Sequence, residues 1–146
     1  MLKVLLSLLL LGASTSYGQN NVKWILDFDN NRKVLQLKGE IEQGWHLYSS
    51  MTPIEAGPIP VEIETKKSKG FKIKKGFVEK YTAVKYFDAN FDSDVFIFEQ
   101  NYLAEQQLKL KKECSAIITV TYMICNDEMC LPPIDEELSI KLNIDD

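Results

Sequence analysis

The chain has 146 residues, three of them cysteines, and a formal net charge of −4 at neutral pH. That length suits one domain rather than two. An acidic balance with scattered lysines offers no basic stripe for a phosphate backbone, which argues against nucleic-acid binding.

Met1-Leu2-Lys3 carries one positive charge, residues 4–13 are almost wholly apolar, and Ser16-Tyr17-Gly18 puts small residues where a signal peptidase reads. The pattern predicts a secretory signal peptide over residues 1–18, cut after Gly18, and one domain over residues 19–146. The apolar run is too short to span a bilayer, and no other run approaches the roughly 18 residues a span needs. Residues 1–18 hold one Lys and no acid, so their loss takes the net charge from −4 to −5. Export implies an oxidising compartment, where two cysteines can be bridged. Three is an odd number, so at least one is left over within the chain.

Trp24, Leu26 and Phe28 alternate with Lys23, Asp27 and Asp29, a half-buried strand that ends at the turn signal Asp29-Asn30-Asn31. Leu35, Leu37 and Ile41 mark a second strand. Gly44 opens a third, Trp45-His46-Leu47-Tyr48. Residues 51–60, with three prolines and Gly57, read as a loop, and a strand leaves it over residues 60–64. Residues 66–75 are lysine-rich around Gly70, Phe71 and Ile73, a solvated hairpin. The pattern over residues 77–81 is ambiguous. Residues 84–87 and 95–98 are strands around an acidic turn, and residues 108–111 alternate again. A last pair of runs, Ile118, Val120, Tyr122, Ile124 and then Leu138, Ile140, Leu142, Ile144, reads as a hairpin with Cys125 and Cys130 at its tip. About nine short strands and no convincing helix predict an all-β, immunoglobulin-like antiparallel β-sandwich, with a small barrel as the alternative.

At a hairpin tip two strands lie about 5 Å apart, so Cys125 and Cys130 can close a disulfide without moving the backbone. The ring is small and its entropic stabilisation modest, which leaves both a redox pair and a loop-pinning bridge open. Cys114 stands eleven residues before Cys125, roughly 35 Å along a continuous strand, and reads as a free, partly buried cysteine with a packing role. Asp127 and Glu128 lie between the paired cysteines and disfavour a thiolate, so the reduced pair is expected to be a sluggish nucleophile until a partner engages it. His46, the sole histidine, can move a proton during exchange; the plainer reading is a partly exposed strand residue between Trp45 and Tyr48. Asp88, Asn90, Asp92, Asp94 and Glu99 match a calcium-loop spacing, but Ser93 stands where glycine is needed and the flanks alternate like strands, so an acidic turn is expected. No C-x2-C pair or His cluster suggests zinc.

Val120-Thr121-Tyr122, Cys125, Cys130 and Leu131-Pro132-Pro133 resemble the N-terminal periplasmic domain of the thiol:disulfide interchange protein DsbD. Gly44-Trp45-His46-Leu47-Tyr48 is similar to that domain's Gly-aromatic-aromatic-Leu-Tyr strand, and Gly57-Pro58-Ile59-Pro60 to a loop of its bacterial relatives. The similarity runs from about Trp24 to Ile144. It implies an immunoglobulin-like fold, a periplasmic location, and Cys125 and Cys130 as the catalytic redox pair, with Cys130 the sulfur attacked by a partner. No organic cofactor or metal is expected, because the two cysteines themselves carry the two electrons. It implies electrons received from a membrane-embedded DsbD-type donor and passed to periplasmic thioredoxin-fold proteins, among them disulfide isomerases and cytochrome c maturation factors. His46 and Tyr48 would lie beside the pair, and Tyr81, in Val78-Glu79-Lys80-Tyr81, would be its cap. Two departures stand out: four residues rather than five separate the cysteines, and the sequence ends at Asp146, so the donor is expected to be a separate protein. The contrasting expectation is an exported immunoglobulin-like binding or scaffold module whose disulfide is purely structural.

Overall fold

The computed structural model describes residues 21–144, so the signal peptide predicted over residues 1–18 lies outside the described residues. In chain order the strands are β1 (Val22–Asp29), β2 (Val34–Ile41), β3 (His46–Tyr48), β4 (Glu62–Thr65), β5 (Phe71–Ile73), β6 (Val78–Glu79), β7 (Val84–Asp88), β8 (Ser93–Glu99), β9 (Asn101–Leu110), β10 (Cys114–Tyr122), β11 (Ile124–Cys125) and β12 (Ile134–Leu142). One 3-10 turn, Ile54–Ala56, interrupts the proline-rich loop. No α-helix occurs among the described residues, and no helix there is long and apolar enough to cross a membrane.

The fold is an immunoglobulin-like antiparallel sandwich. One sheet runs β1-β2-β9-β5, with β6 also on β9; a second runs β12-β10-β4. Alternation decides what each strand buries. Ile118, Val120 and Tyr122 of β10 point inward, as do Leu35 and Leu37 of β2 and Tyr102, Ala104 and Leu108 of β9, and all belong to one core. The expected alternation at residues 108–111 is only the end of β9. Glu105-Gln106-Gln107 disguise its middle, where Gln106 is buried and accepts a hydrogen bond from Thr65 Oγ1 at 2.8 Å.

A third, smaller sheet runs β11-β3-β8-β7 and is fed by strands that bend out of the sandwich. Gln100, at φ 64°, turns the chain from β8 into β9, and Met123 separates β10 from β11. The long strand expected from Cys114 to Cys125 is therefore broken just before the cysteine. Cys114 itself is free and half-buried. A Cβ on Gly70 would run into its Cβ and Sγ, so its sulfur packs on that glycine.

The small sheet has two covered faces. Leu47, Phe98 and Ile124 join the main core, while Tyr48, Val95, Ile97 and Cys125 form a second core with Ala56. Gly57 seals that second core. Its φ is +104°, and a Cβ there would come within 2.8 Å of the Phe91 ring, so the proline-rich loop can close over Phe91 only with glycine at this position.

Candidate functional site

Cys125 and Cys130 are joined, with S–S 2.00 Å and Cα–Cα 4.0 Å. They sit in a miniature hairpin: Asn126 N–H donates to Met129 O (2.9 Å) and Leu131 N–H to Ile124 O (3.0 Å). The Asn126 side chain closes the turn, its Oδ1 accepting from the backbone N–H of Glu128 (2.9 Å) and Met129 (2.8 Å). Pro132 and Pro133 follow at once, and with no N–H to donate they end the pairing and release the chain toward β12. The two sulfurs differ in access: Cys125 is 0% exposed, whereas Cys130 is half-buried.

Antiparallel pairing places His46 directly opposite Cys125, with Glu99 on its other side, all on the second-core face. His46 and Tyr48, two residues apart, share that face, while Leu47 between them points to the main core. His46 is not the partly exposed residue expected: it is 4% exposed, and Trp45 packs into the main core on the far side. Its ring meets Tyr48 edge-on at 5.2 Å and Tyr86 at 5.4 Å.

Beneath the disulfide lies a chain of three buried polar groups. Tyr48 Oη donates to Asp88 Oδ2 at 2.5 Å and lies 4.0 Å from Cys130 Sγ. His46 Nε2 is 3.2 Å from Tyr48 Oη and 3.6 Å from Asp88 Oδ2. Because the Tyr48 hydrogen goes to Asp88, its oxygen is left to accept from His46 Nε2–H, and the neutral imidazole carries its lone pair on Nδ1. Burial, reinforced by the Asp88 hydrogen bond, pushes the Tyr48 phenol far above its ordinary range. Burial likewise holds His46 below its ordinary 6.5, opposed by the negative charges of Asp88, Glu99 and Asp127.

The β7–β8 hairpin straps this cluster to the cysteine tip. Tyr86 Oη donates to Asp127 Oδ1 (3.0 Å), Asn90 Nδ2 donates to Asn126 O (3.1 Å), and Phe91 meets Tyr48 edge-on at 6.1 Å. The acidic residues of the calcium-like spacing serve different partners: Asp88 is buried on Tyr48, and Asp94 pairs with Lys85 at 2.7 Å. Among the described residues no group of three or more His, Cys, Asp or Glu is gathered to hold a metal ion. Tyr81 is 51% exposed and lines a cleft of about 420 Å3 with Thr82, Val84, Ile97 and Glu99.

Sequence reasoning placed Tyr86 in a strand and Asp88 in the calcium-like spacing, but assigned neither of them, nor Phe91, to the cysteine site. The signal for two of them was the period of β7: Tyr86 and Asp88 share a face, with Phe87 opposite. Hydrophobicity suggests the reverse, yet Phe87 is 57% exposed and Asp88 is 1% exposed.

The burial of His46 makes stability pH-dependent with a definite sign. The unfolded chain takes up the His46 proton as pH falls through 6.5, while the folded chain resists until lower pH. In that window the unfolded state binds more protons, so stability declines with falling pH. Asp27, Asp29 and Glu105, whose hydrogen bonds to backbone or Arg32 lower their pKa values, act only below their ordinary 3.8 and 4.5. Denaturant midpoints between about pH 6.5 and pH 5 are therefore expected to fall in the native chain and to level out in His46→Phe. An equal slope in both would assign the decline to another group.

A family model for the N-terminal part of the thiol:disulfide interchange protein DsbD matches residues 18–142. Among solved structures, the fold is similar to the DsbD N-terminal domain of Neisseria meningitidis in its reduced form: 15% identity, 82% of this chain, 86% of that one, TM-score 0.58. It is also similar to the N-terminal periplasmic domain of ScsB from Proteus mirabilis, with 14% identity, 84% of this chain, 45% of that one and TM-score 0.54. A third is the DsbD N-terminal domain in complex with the PilB N-terminal domain, from Neisseria meningitidis: 12% identity, 80% of each chain, TM-score 0.53. No curated protein sequence matches the chain.

Proposed function

The chain belongs to the DsbD N-terminal domain family, and from that premise we propose that it is a periplasmic thiol–disulfide exchange protein whose Cys125–Cys130 pair relays two electrons. In this reading a membrane-embedded DsbD-type protein reduces the pair, and periplasmic thioredoxin-fold proteins are reduced by it. Each transfer passes through a mixed disulfide. Cys130 is the sulfur that meets the partner and Cys125 the one that resolves the mixed disulfide. His46 and Tyr48 shield the pair and handle its protons, and Tyr81 borders the approach.

The observation that carries the reading is the redundancy of the bridge as a staple. The tip is already closed by the Asn126–Met129 and Leu131–Ile124 backbone bonds and tied down by Tyr86 and Asn90. Pinning so short a loop again adds at most about 2 kcal/mol. One sulfur of the bridge nonetheless remains within reach of solvent.

Equilibration of the exported domain, with Cys114 replaced by Ala, against glutathione and dithiothreitol buffers tests this. A reduction potential between about −180 and −270 mV is expected, the range of exchange proteins. A value well below about −300 mV would make the bridge a structural staple and the domain a binding module.

A further inference from the structure

Asp88 is an expensive residue for a small core. It is 1% exposed, and its oxygens meet the Tyr48 hydroxyl, the Asn90 backbone N–H at 2.8 Å and, at 3.6 Å, His46. Of these contacts among the described residues, His46 alone can become a cation. A carboxylate taken from water with so little compensation adds little to stability and is strongly unfavourable if its partner is removed. Its place is informative: the chain of contacts from it ends at the residue opposite the buried sulfur.

Cys125 poses a chemical difficulty that this chain of contacts answers. A thiol wholly buried among apolar groups holds its proton, yet only the thiolate attacks a disulfide. Water does not reach Cys125, so the base must be internal. Opposed residues of an antiparallel pair have Cβ atoms about 4.5–5.5 Å apart, which sets His46 and Cys125 side by side on one face of the small sheet. With Nε2–H committed to Tyr48, Nδ1 is left as the acceptor.

We propose that His46 is the general base for Cys125 and that Asp88 is its positioning residue, acting through Tyr48 to hold the required tautomer and balancing the charge the imidazole gains. The proposal rests on the exchange reading above. When the reduced domain acts, the Cys130 thiolate attacks the acceptor disulfide R–S–S–R′, forming Cys130–S–S–R and releasing R′–S⁻. Cys125 then attacks the Cys130 sulfur. Its S–H bond breaks with the proton passing to His46 Nδ1, the Cys125–Cys130 bond forms, and R–S⁻ leaves with the electron pair. The imidazolium hands its proton to the departing thiolate. The domain loses two electrons and the acceptor gains them. The charged and titratable groups around His46 are Tyr48 on its own strand, Tyr86 and Asp88 of β7, Glu99 of β8, and Asp127, Cys125 and Cys130 at the tip. Every fixed charge among them is negative, which favours the transient imidazolium.

The test uses the reduced exported domain carrying Cys114→Ala and the probe 5,5′-dithiobis(2-nitrobenzoate). The first thionitrobenzoate released reports labelling of Cys130, and the second reports attack by Cys125. Stopped-flow rates of the second release are followed from about pH 5 to about pH 9. The unsubstituted site is expected to show a rate that rises with one ionisation below 6.5 and then levels. Asp88→Asn, which keeps an acceptor for Tyr48, is expected to lower that plateau about ten- to a hundredfold and to move the ionisation to lower pH, with rates converging as hydroxide takes over. His46→Phe is expected to lose the ionisation altogether. A wild-type plateau and ionisation in Asp88→Asn would overturn the proposal, as would an equal slowing at every pH. If Asp88→Asn does not fold, an unchanged ionisation in Tyr48→Phe and His46→Phe overturns it instead. A domain that releases no second thionitrobenzoate at any pH would overturn the exchange reading itself.

Discussion

Replacing Cys125 by serine, in a domain also carrying Cys114→Ala, is expected to leave the protein locked to its acceptor. Cys130, at the half-buried edge of the tip, would still attack the acceptor disulfide, but no second thiol would release it. The mixed disulfide should accumulate as a species of summed mass that dithiothreitol dissolves, and turnover should fall by about three orders of magnitude or more. Cys130→Ser should lose turnover to the same extent without trapping anything, because the sulfur that remains is 0% exposed beneath Tyr48 and the β7–β8 strap. The asymmetry comes from the fold. β11 places Cys125 in register with β3 on a covered face, whereas Cys130 follows the turn and belongs to no strand. Equal trapping by both variants, or trapping by Cys130→Ser alone, would refute this division of labour, and persistent exchange in both would refute the redox pair.

Leu47→Ala is expected to be the most destabilising single truncation at the site, by about 2–5 kcal/mol. Leu47 is 0% exposed and is held between Ile124 and Phe98 in the strand register. All three face the main core, so the truncation opens a cavity where the small sheet joins the sandwich. The same three-residue strand carries His46 and Tyr48 on its other face. A loss of that size is a large share of a typical domain's 5–15 kcal/mol. Val84→Ala, at a 61% exposed position on the edge strand β7, is the comparison, with an expected change within about 0.5 kcal/mol. Denaturant midpoints of the two oxidised variants measure the difference. Comparable values would mean that the small sheet draws its stability from elsewhere.

The fold class was legible because its signal is local. β1, β2, β10 and β12 alternate with period two, so side chains two residues apart announce a shared face before any partner strand is known. The cysteine tip was legible for a similar reason: two cysteines and a Pro-Pro exit within nine residues leave little choice but a tight turn. β9 was half hidden because Gln106 satisfies its buried amide through Thr65, a residue 41 positions away.

By itself, then, the sequence determined an antiparallel β-sandwich with a closable cysteine pair at the tip of its last hairpin. Only the tertiary structure decided which sulfur is covered, what covers it, and that Asp88 and His46 share one buried chain of contacts through Tyr48. Those facts depend on where β10 and β8 bend from the sandwich into the small sheet, and on the register that sets residue 125 opposite 46. A one-residue slip of β7 against β8 would have turned Asp88 out to solvent and Phe87 inward, with the local hydrophobic pattern better satisfied. The arrangement is held instead by long-range hydrogen bonds, Tyr48 to Asp88 and Tyr86 to Asp127, each joining residues about 40 apart in sequence. No pattern of neighbouring residues encodes bonds of that span.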